Sequence, residues 1–173
     1  VISCVVSDNR KGAATLARSV LEPGTGSVVW LDAVPALAMT RERREGFEEV
    51  ARSRSGQWAV YSGERYDRAS GARLMQQVLA DQGLPDALIT ASYTLLQGVL
   101  DVLLEQPGGL PQSLRMATFG DDRLLDFLPV KVHSLPQKHE AIAEATLDRA
   151  LAAIAGHGEP ETVIINRSLK RRR

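Results

Sequence analysis

The chain has 173 residues, enough for one domain with a real core, and its 44% apolar and 24% charged composition is that of a globular protein. Formal charge is zero, but five of the 21 basic residues crowd into Arg167–Arg173. The remaining 16 against 21 acids leave the body at −5, which excludes a nucleic-acid surface there. A lone Cys4 excludes an intrachain disulfide and fits a reducing cytoplasm, and no apolar run of about 18 residues exists to span a membrane. No signal peptide is visible, and Val1 falls in mid-strand, as in a fragment of something longer.

Ile2–Val6 is a near-continuous apolar run that predicts a buried strand, with Cys4 inside it and Ser7-Asp8-Asn9 as cap candidates for a helix to about Leu21. After the Glu22–Gly26 turn, Val28–Leu31 is a second buried strand, closed by Asp32. A helix from about Met39 to Ser53, a strand Gln57–Tyr61 and a helix Tyr66–Asp81 follow. Ala87–Thr90, behind Gly83 and Pro85, is a short buried strand running into a helix Tyr93–Glu105 capped by Ser92. Arg115–Phe119, then Val130–Ser134, are extended pieces; Lys138–Ala155 is a long helix and Thr162–Ile165 a last strand. Strands alternating with helices at this spacing predict an α/β, doubly wound parallel sheet.

The helix at Tyr93–Glu105 is unusually apolar. At about 100° per residue, Leu95, Val99, Val102 and Leu103 share one side, and Leu96, Leu100 and Leu104 form a second row beside them. A helix packed on one sheet needs an apolar stripe only a little wider than about 100°, so the extra row predicts a subunit interface.

On the helix after the second strand, Met39, Phe47 and Val50 define the buried stripe, with Arg43 and Gly46 in its middle. Arg41, Arg44, Glu45, Glu48 and Glu49 fall on the wet side. An inward arginine beside strand ends needs an anion, either a ligand or a structural carboxylate such as Asp32, unless it reaches out to the rim. Gly46 lets the helix backbone approach a neighbour closely. Asp8, Asn9, Ser92, Tyr93, Asp121 and Asp122 all fall at carboxyl ends of strands, where open α/β sheets bind ligands. Arginine, hydroxyls, carboxylates and an aromatic ring together suit a polyhydroxy ligand carrying an anionic group. The alternative is a Mg²⁺-dependent phosphatase or phosphotransfer enzyme using Asp8, Asp121 and Asp122. Against it, position 10 is Arg rather than a second acid, and there is no phosphate loop or nucleophile elbow. His133, His139 and His157 lack ligand spacing and read as surface or cap residues, and Lys170–Arg173 read by default as a solvated terminus.

The segments TRERREGF (Thr40–Phe47), LITASYTLLQGVLDVL (Leu88–Leu103), MATFGDDRLLDFL (Met116–Leu128) and INRSLKRR (Ile165–Arg172) resemble the LacI/GalR family of bacterial transcription regulators. LLQGVLDV and ATFGDDRLLDFL are similar to its fructose-repressor branch. The resemblance runs along the whole chain and implies a periplasmic-binding-protein-like effector domain of two lobes, joined to an N-terminal helix-turn-helix domain that is absent from this sequence. On that reading residues 1–135 are the second lobe. Residues 136–158 are the crossover and a helix that packs on the first lobe, and 159–173 are a return strand and basic tail.

The resemblance further implies that a fructose phosphate binds between the lobes and controls how a homodimer, or a tetramer, holds operator DNA. Fructose 1-phosphate is the first candidate and fructose 1,6-bisphosphate the second, with no cofactor, no metal and no catalysis. Arg43 matches the family's ligand-binding arginine, in the motif Arg43-Arg44-Glu45-Gly46. Ser92 and Tyr93 stand where the family usually has Asn-Asp. Asp121 matches the carboxylate that takes sugar hydroxyls, Gln137 the crossover glutamine, and Arg167 the arginine that faces the phosphate. The expected dimer contacts are Leu96, Val99, Leu100, Leu103, Leu104 and Phe127. Ile142, Leu147, Leu151 and Ile154 of the long helix would then have no home sheet without the first lobe.

Overall fold

A computed structural model describes residues 3–156 and 159–172, so Ile2, His157 and Arg173 lie outside the described residues. In chain order the elements are β1 (Cys4–Ser7), α1 (Asn9–Val20), β2 (Ser27–Ala33), α2 (Ala38–Arg52), β3 (Gln57–Gly63), α3 (Arg68–Gln82), β4 (Ala87–Thr90) and α4 (Tyr93–Leu104). β5 (Arg115–Phe119), a 3-10 helix at Arg123–Phe127, β6 (Val132–Leu135), α5 (His139–Ile154) and β7 (Thr162–Ile165) complete the chain.

Five strands form one all-parallel sheet in the order β3-β2-β4-β5-β6. Successive side chains of a strand point to opposite faces, and the two cores follow that alternation. Val28, Trp30, Ile89, Ala117 and Phe119 join α1 and α2 on one face. Val29, Leu31, Leu88 and Met116 join α3 and α4 on the other. Both faces are thus covered, which is why β2 and β4 read as unbroken apolar runs rather than as alternating ones. Three helix starts are capped as their sequences predict, by Asp8, Asp67 and Ser92, whose side chains accept from Lys11 N, Ser70 N and Leu95 N.

Glycines let the helix pairs approach almost backbone to backbone. A Cβ at Gly46 of α2 would lie 2.0 Å from Arg10 O of α1. On the opposite face Gly71 of α3 and Gly98 of α4 face each other's helices, and their Cβ atoms would meet Leu95 O at 2.0 Å and Arg68 O at 1.9 Å.

Two expectations are corrected. β1 does not join the main sheet: it pairs in parallel with β7, Cys4 opposite Thr162 and Ser7 opposite Ile165. β1 is also not a buried strand, because its two-stranded sheet is covered on only part of its surface, and Cys4 is exposed. α5 packs beside β1 and β7 and buries none of its side chains, leaving Leu147, Leu151 and Ile154 more than half exposed.

The close α3–α4 contact generates a prediction. Gly98→Ala places a methyl group inside the Arg68 carbonyl and forces the two helices apart, at a cost of at least about 2 kcal/mol. Urea unfolding should show the midpoint lowered with an unchanged slope.

Candidate functional site

The order of strands reverses between β2 and β4: β2 leads to β3 on one side, while β4 and its successors build out on the other. Their carboxyl ends open the crevice where ligands of such sheets sit. α2 begins beside this crevice and carries Arg43 inward. The Arg43 side chain is buried, with 6% of the residue exposed. Its Nε donates to Asn9 Oδ1 at 2.9 Å and its Nη1 to Ala91 O at 2.6 Å, just past β4. Its guanidinium carbon lies 4.1 Å from the centroid of the Phe119 ring, at the end of β5. Asn9 is itself held, since its Nδ2 donates to Glu42 at 2.8 Å.

Arg167 comes to the same ring from the far end of the chain. Its guanidinium carbon is 5.3 Å from the Phe119 centroid, so the two arginine carbons lie within about 9 Å of each other. Arg167 Nη1 donates to Leu135 O at 3.2 Å and Nη2 to the Gln137 side-chain oxygen. Its Nε is buried without an acceptor among the described residues. A buried donor left unpaired is uncommon and calls for a partner of its own. Neither arginine forms an ion pair among the described residues; every acceptor it has is neutral.

The electrostatics follow. Burial, and then the charge of Arg167, bring the Arg43 guanidinium down to about 10, below its ordinary value. Burial lowers Arg167 as well. Ser92 caps α4, its hydroxyl also paired with Thr94, directly after the carbonyl that Arg43 engages. Tyr93 lies against Gly120, which follows Phe119 at a φ of +84°. Arg43, Ser92, Tyr93, Gln137 and Arg167 are therefore brought to one edge, around a ring that sequence reasoning passed over. Phe119 ends an apolar strand and gave no polar signal. Tyr66 was missed too; its hydroxyl pairs with Thr40 Oγ1 at 2.8 Å, and its pKa is raised by burial.

Asp121 is held by the C-terminal segment. Its Oδ1 accepts from Ser134 Oγ and Arg172 Nη2, both at 2.6 Å, and its Oδ2 takes Lys170 Nζ at 3.3 Å. Burial opposes its ionisation, but the bonds from Ser134, Arg172 and Lys170 outweigh it and hold the carboxyl below its usual range. The same contacts overturn the solvated tail. Arg44, placed by spacing on the wet side, instead forks onto fully buried Asp32 at 2.9 and 2.8 Å, so Asp32 is Arg44's partner and not Arg43's.

The Mg²⁺ reading fails on geometry. Asp8 caps α1, Asp122 caps the 3-10 helix and Asp121 is ion-paired. Among the described residues no group of three potential ligands could hold a metal. The expected interface residues divide. Leu96, Val99 and Leu103 are fully buried in the chain's own core and cannot touch a partner, which corrects that expectation. Leu100 is half-buried, while Leu104 and Phe127 are 57% and 71% exposed beside Leu124 at 64%.

Residues 29–173 match the family described as periplasmic binding protein-like domain. The chain is 45% identical over 168 residues to the fructose operon regulatory protein of Vibrio cholerae, covering 97% of this chain and 51% of that protein. It is 35% identical over 170 residues to the catabolite repressor/activator of Escherichia coli, with 97% and 51% covered. The chain thus spans about half the length of these relatives. Among solved structures, that of the Cra transcriptional dual regulator of Pseudomonas putida in complex with fructose 1-phosphate superposes with a TM-score of 0.92 at 43% identity, over 98% of this chain and 63% of that one. A dimeric Lac repressor shares the fold, with a TM-score of 0.84 at 17% identity, over 98% and 63% of the two chains. Motifs, parallel topology and these likenesses agree: the chain belongs to the periplasmic binding protein-like family, and its similarity runs to LacI-type regulators of the fructose-repressor kind.

Proposed function

We propose that this chain is half of a sugar-phosphate sensor, in which Arg43 and Arg167 together hold the phosphate and Asn9, Ser92, Tyr93 and Gln137 face the sugar. The observation that carries the reading is the pair of guanidinium groups on one ring, Arg43 buried and Arg167 half-buried, neither of them ion-paired among the described residues. Burial, and then the charge of Arg167, disfavour the charged form of Arg43. Arginine does not give up its proton in a protein, so the cost stands until an anion arrives, and a phosphate between the two groups removes it. The effector proposed first is fructose 1-phosphate, which the 43% identical Pseudomonas putida regulator carries in its solved structure. Fructose 1,6-bisphosphate is the second candidate.

An effector in this crevice touches only one wall. The opposite wall belongs to a preceding lobe, on which the exposed leucines of α5 pack. In the full-length protein closure of the two lobes on the effector changes how a dimer holds operator DNA through an N-terminal reading head, in the cytoplasm. Leu100, Leu104, Leu124 and Phe127 form the dimer face of this lobe.

Two measurements test this. In the full-length protein, fructose 1-phosphate at a hundredfold above its Kd should add about 2.7 kcal/mol of stability, seen as a rise in melting temperature. Arg43→Ala or Arg167→Ala should each abolish that rise; a wild type that responds to neither fructose ester overturns the reading. Sedimentation of the full-length Leu104→Glu/Phe127→Glu variant should show monomer where the wild type is dimer. A variant that remains dimeric overturns the assigned face.

A further inference from the structure

The last described residues, Asn166–Arg172, form no regular element, yet they are anchored at several points. Lys170 makes an antiparallel bridge to Ser134 of β6, its N donating to Ser134 O at 2.8 Å and Ser134 N returning to Lys170 O at 3.0 Å. Leu169 packs on the core under α1 and α2. Arg172 then closes the segment. Its side chain is only 8% exposed, and its fork is filled. Nε donates to Asp126 at 2.7 Å, Nη1 to Val132 O at 2.9 Å and Ser134 Oγ at 2.8 Å, and Nη2 to Asp121 at 2.6 Å. The backbone N of Arg172 also donates to His133 Nδ1 at 3.2 Å.

Arg167, five residues earlier, is held much less firmly. It has one backbone acceptor and one exposed glutamine, and an unpaired Nε. With so few contacts of its own, Arg167 also depends on the course of the backbone to lie over Phe119. That course is fixed on one side by β7, through Ile165, and on the other by the Arg172 anchor.

We propose that Arg172 is a positioning residue for the effector: its grip on Asp121 and Asp126 holds segment 166–172 against β6 so that Arg167 lies over Phe119. The inference rests on the sugar-phosphate reading for its consequence in binding, and on geometry alone for the positioning. Lys170 Nζ also reaches Asp121 at 3.3 Å and Asp126 at 3.2 Å; what the planar fork of Arg172 adds is the pair of Nη1 bonds to Val132 O and Ser134 Oγ, made while Nε and Nη2 hold the two carboxylates. Without the anchor the segment samples other courses, and apparent affinity falls by the fraction of time Arg167 is in place.

The test uses full-length protein with isotope-labelled arginine. The Nε–H resonance of Arg167 should be displaced in the wild type by the ring current of Phe119, whose centroid lies 5.3 Å from the guanidinium carbon. In Arg172→Gln it should move to the position of a free arginine, and calorimetry with fructose 1-phosphate should show affinity reduced about tenfold, as for a segment in place about a tenth of the time. Asp126→Asn removes one exposed half of the anchor without threatening the core, and should give a smaller change in the same direction in both readouts. An Arg167 resonance unmoved in both variants overturns the proposal, as does a moved resonance with unchanged affinity. A wild type that binds neither fructose ester refutes the functional reading alone, and the resonance then decides whether Arg172 positions Arg167.

Discussion

Two positive charges share one aromatic ring, and the architecture around them makes that arrangement tenable. Each guanidinium draws on the negative face of Phe119, an attraction of about 0.5–2 kcal/mol per contact depending on exposure. Backbone carbonyls at Ala91 and Leu135 supply partial negative charge from the ends of β4 and β6. These terms hold the cations in place without neutralising them. The parallel sheet matters because its strand ends converge on one edge, so that residues 43, 91, 119, 135 and 167 become neighbours although the sequence scatters them.

The neighbouring arginine shows what a neutralised charge looks like in the same helix. Arg44 meets Asp32 with two parallel bonds, and Ser62 and the indole of Trp30 also donate to that carboxylate. A buried ion pair adds little net stability, but breaking one is costly. The Arg44–Asp32 pair therefore fixes how α2 sits on β2, and with it the direction in which Arg43 points. Gly46 adds the second constraint, since α2 could not approach α1 closely enough for Arg43 to reach Asn9 and Ala91 if a side chain stood there. One helix thus carries a structural arginine, a binding arginine and the glycine that seats both.

Much of this was legible in the residues. Apolar runs bounded by turns gave the five strands of the main sheet, Asp8 and Ser92 announced their helices, and Arg43 stood out as a charge in an apolar stripe. What stayed hidden depends on long-range partners. An apolar run says that a strand exists, not which sheet it joins, so β1 was placed with the wrong strands. A helical wheel assumes one packing surface, whereas α4 packs on the sheet, on α3 through Gly71 and Gly98, and against the β5–β6 connection; Leu96, Val99 and Leu103 are used up there. Arg44 and Arg172 were read as wet because their carboxylates lie 12 and 46 to 51 residues away in the chain. Val34 takes a φ of +49° before a proline, a conformation that nothing in a β-branched residue suggests.

The parallel ladder between β1 and β7 has a mechanical consequence. Both strands run in the same direction, bonded from Cys4–Thr162 to Ser7–Ile165, and both lead into the five-stranded body; the chain comes back from that body after β6, through residues 136–138, to α5 beside the two strands. Two bonded strands that enter side by side resist independent twisting, so the five-stranded body is carried on one coupled support rather than on two separate linkers.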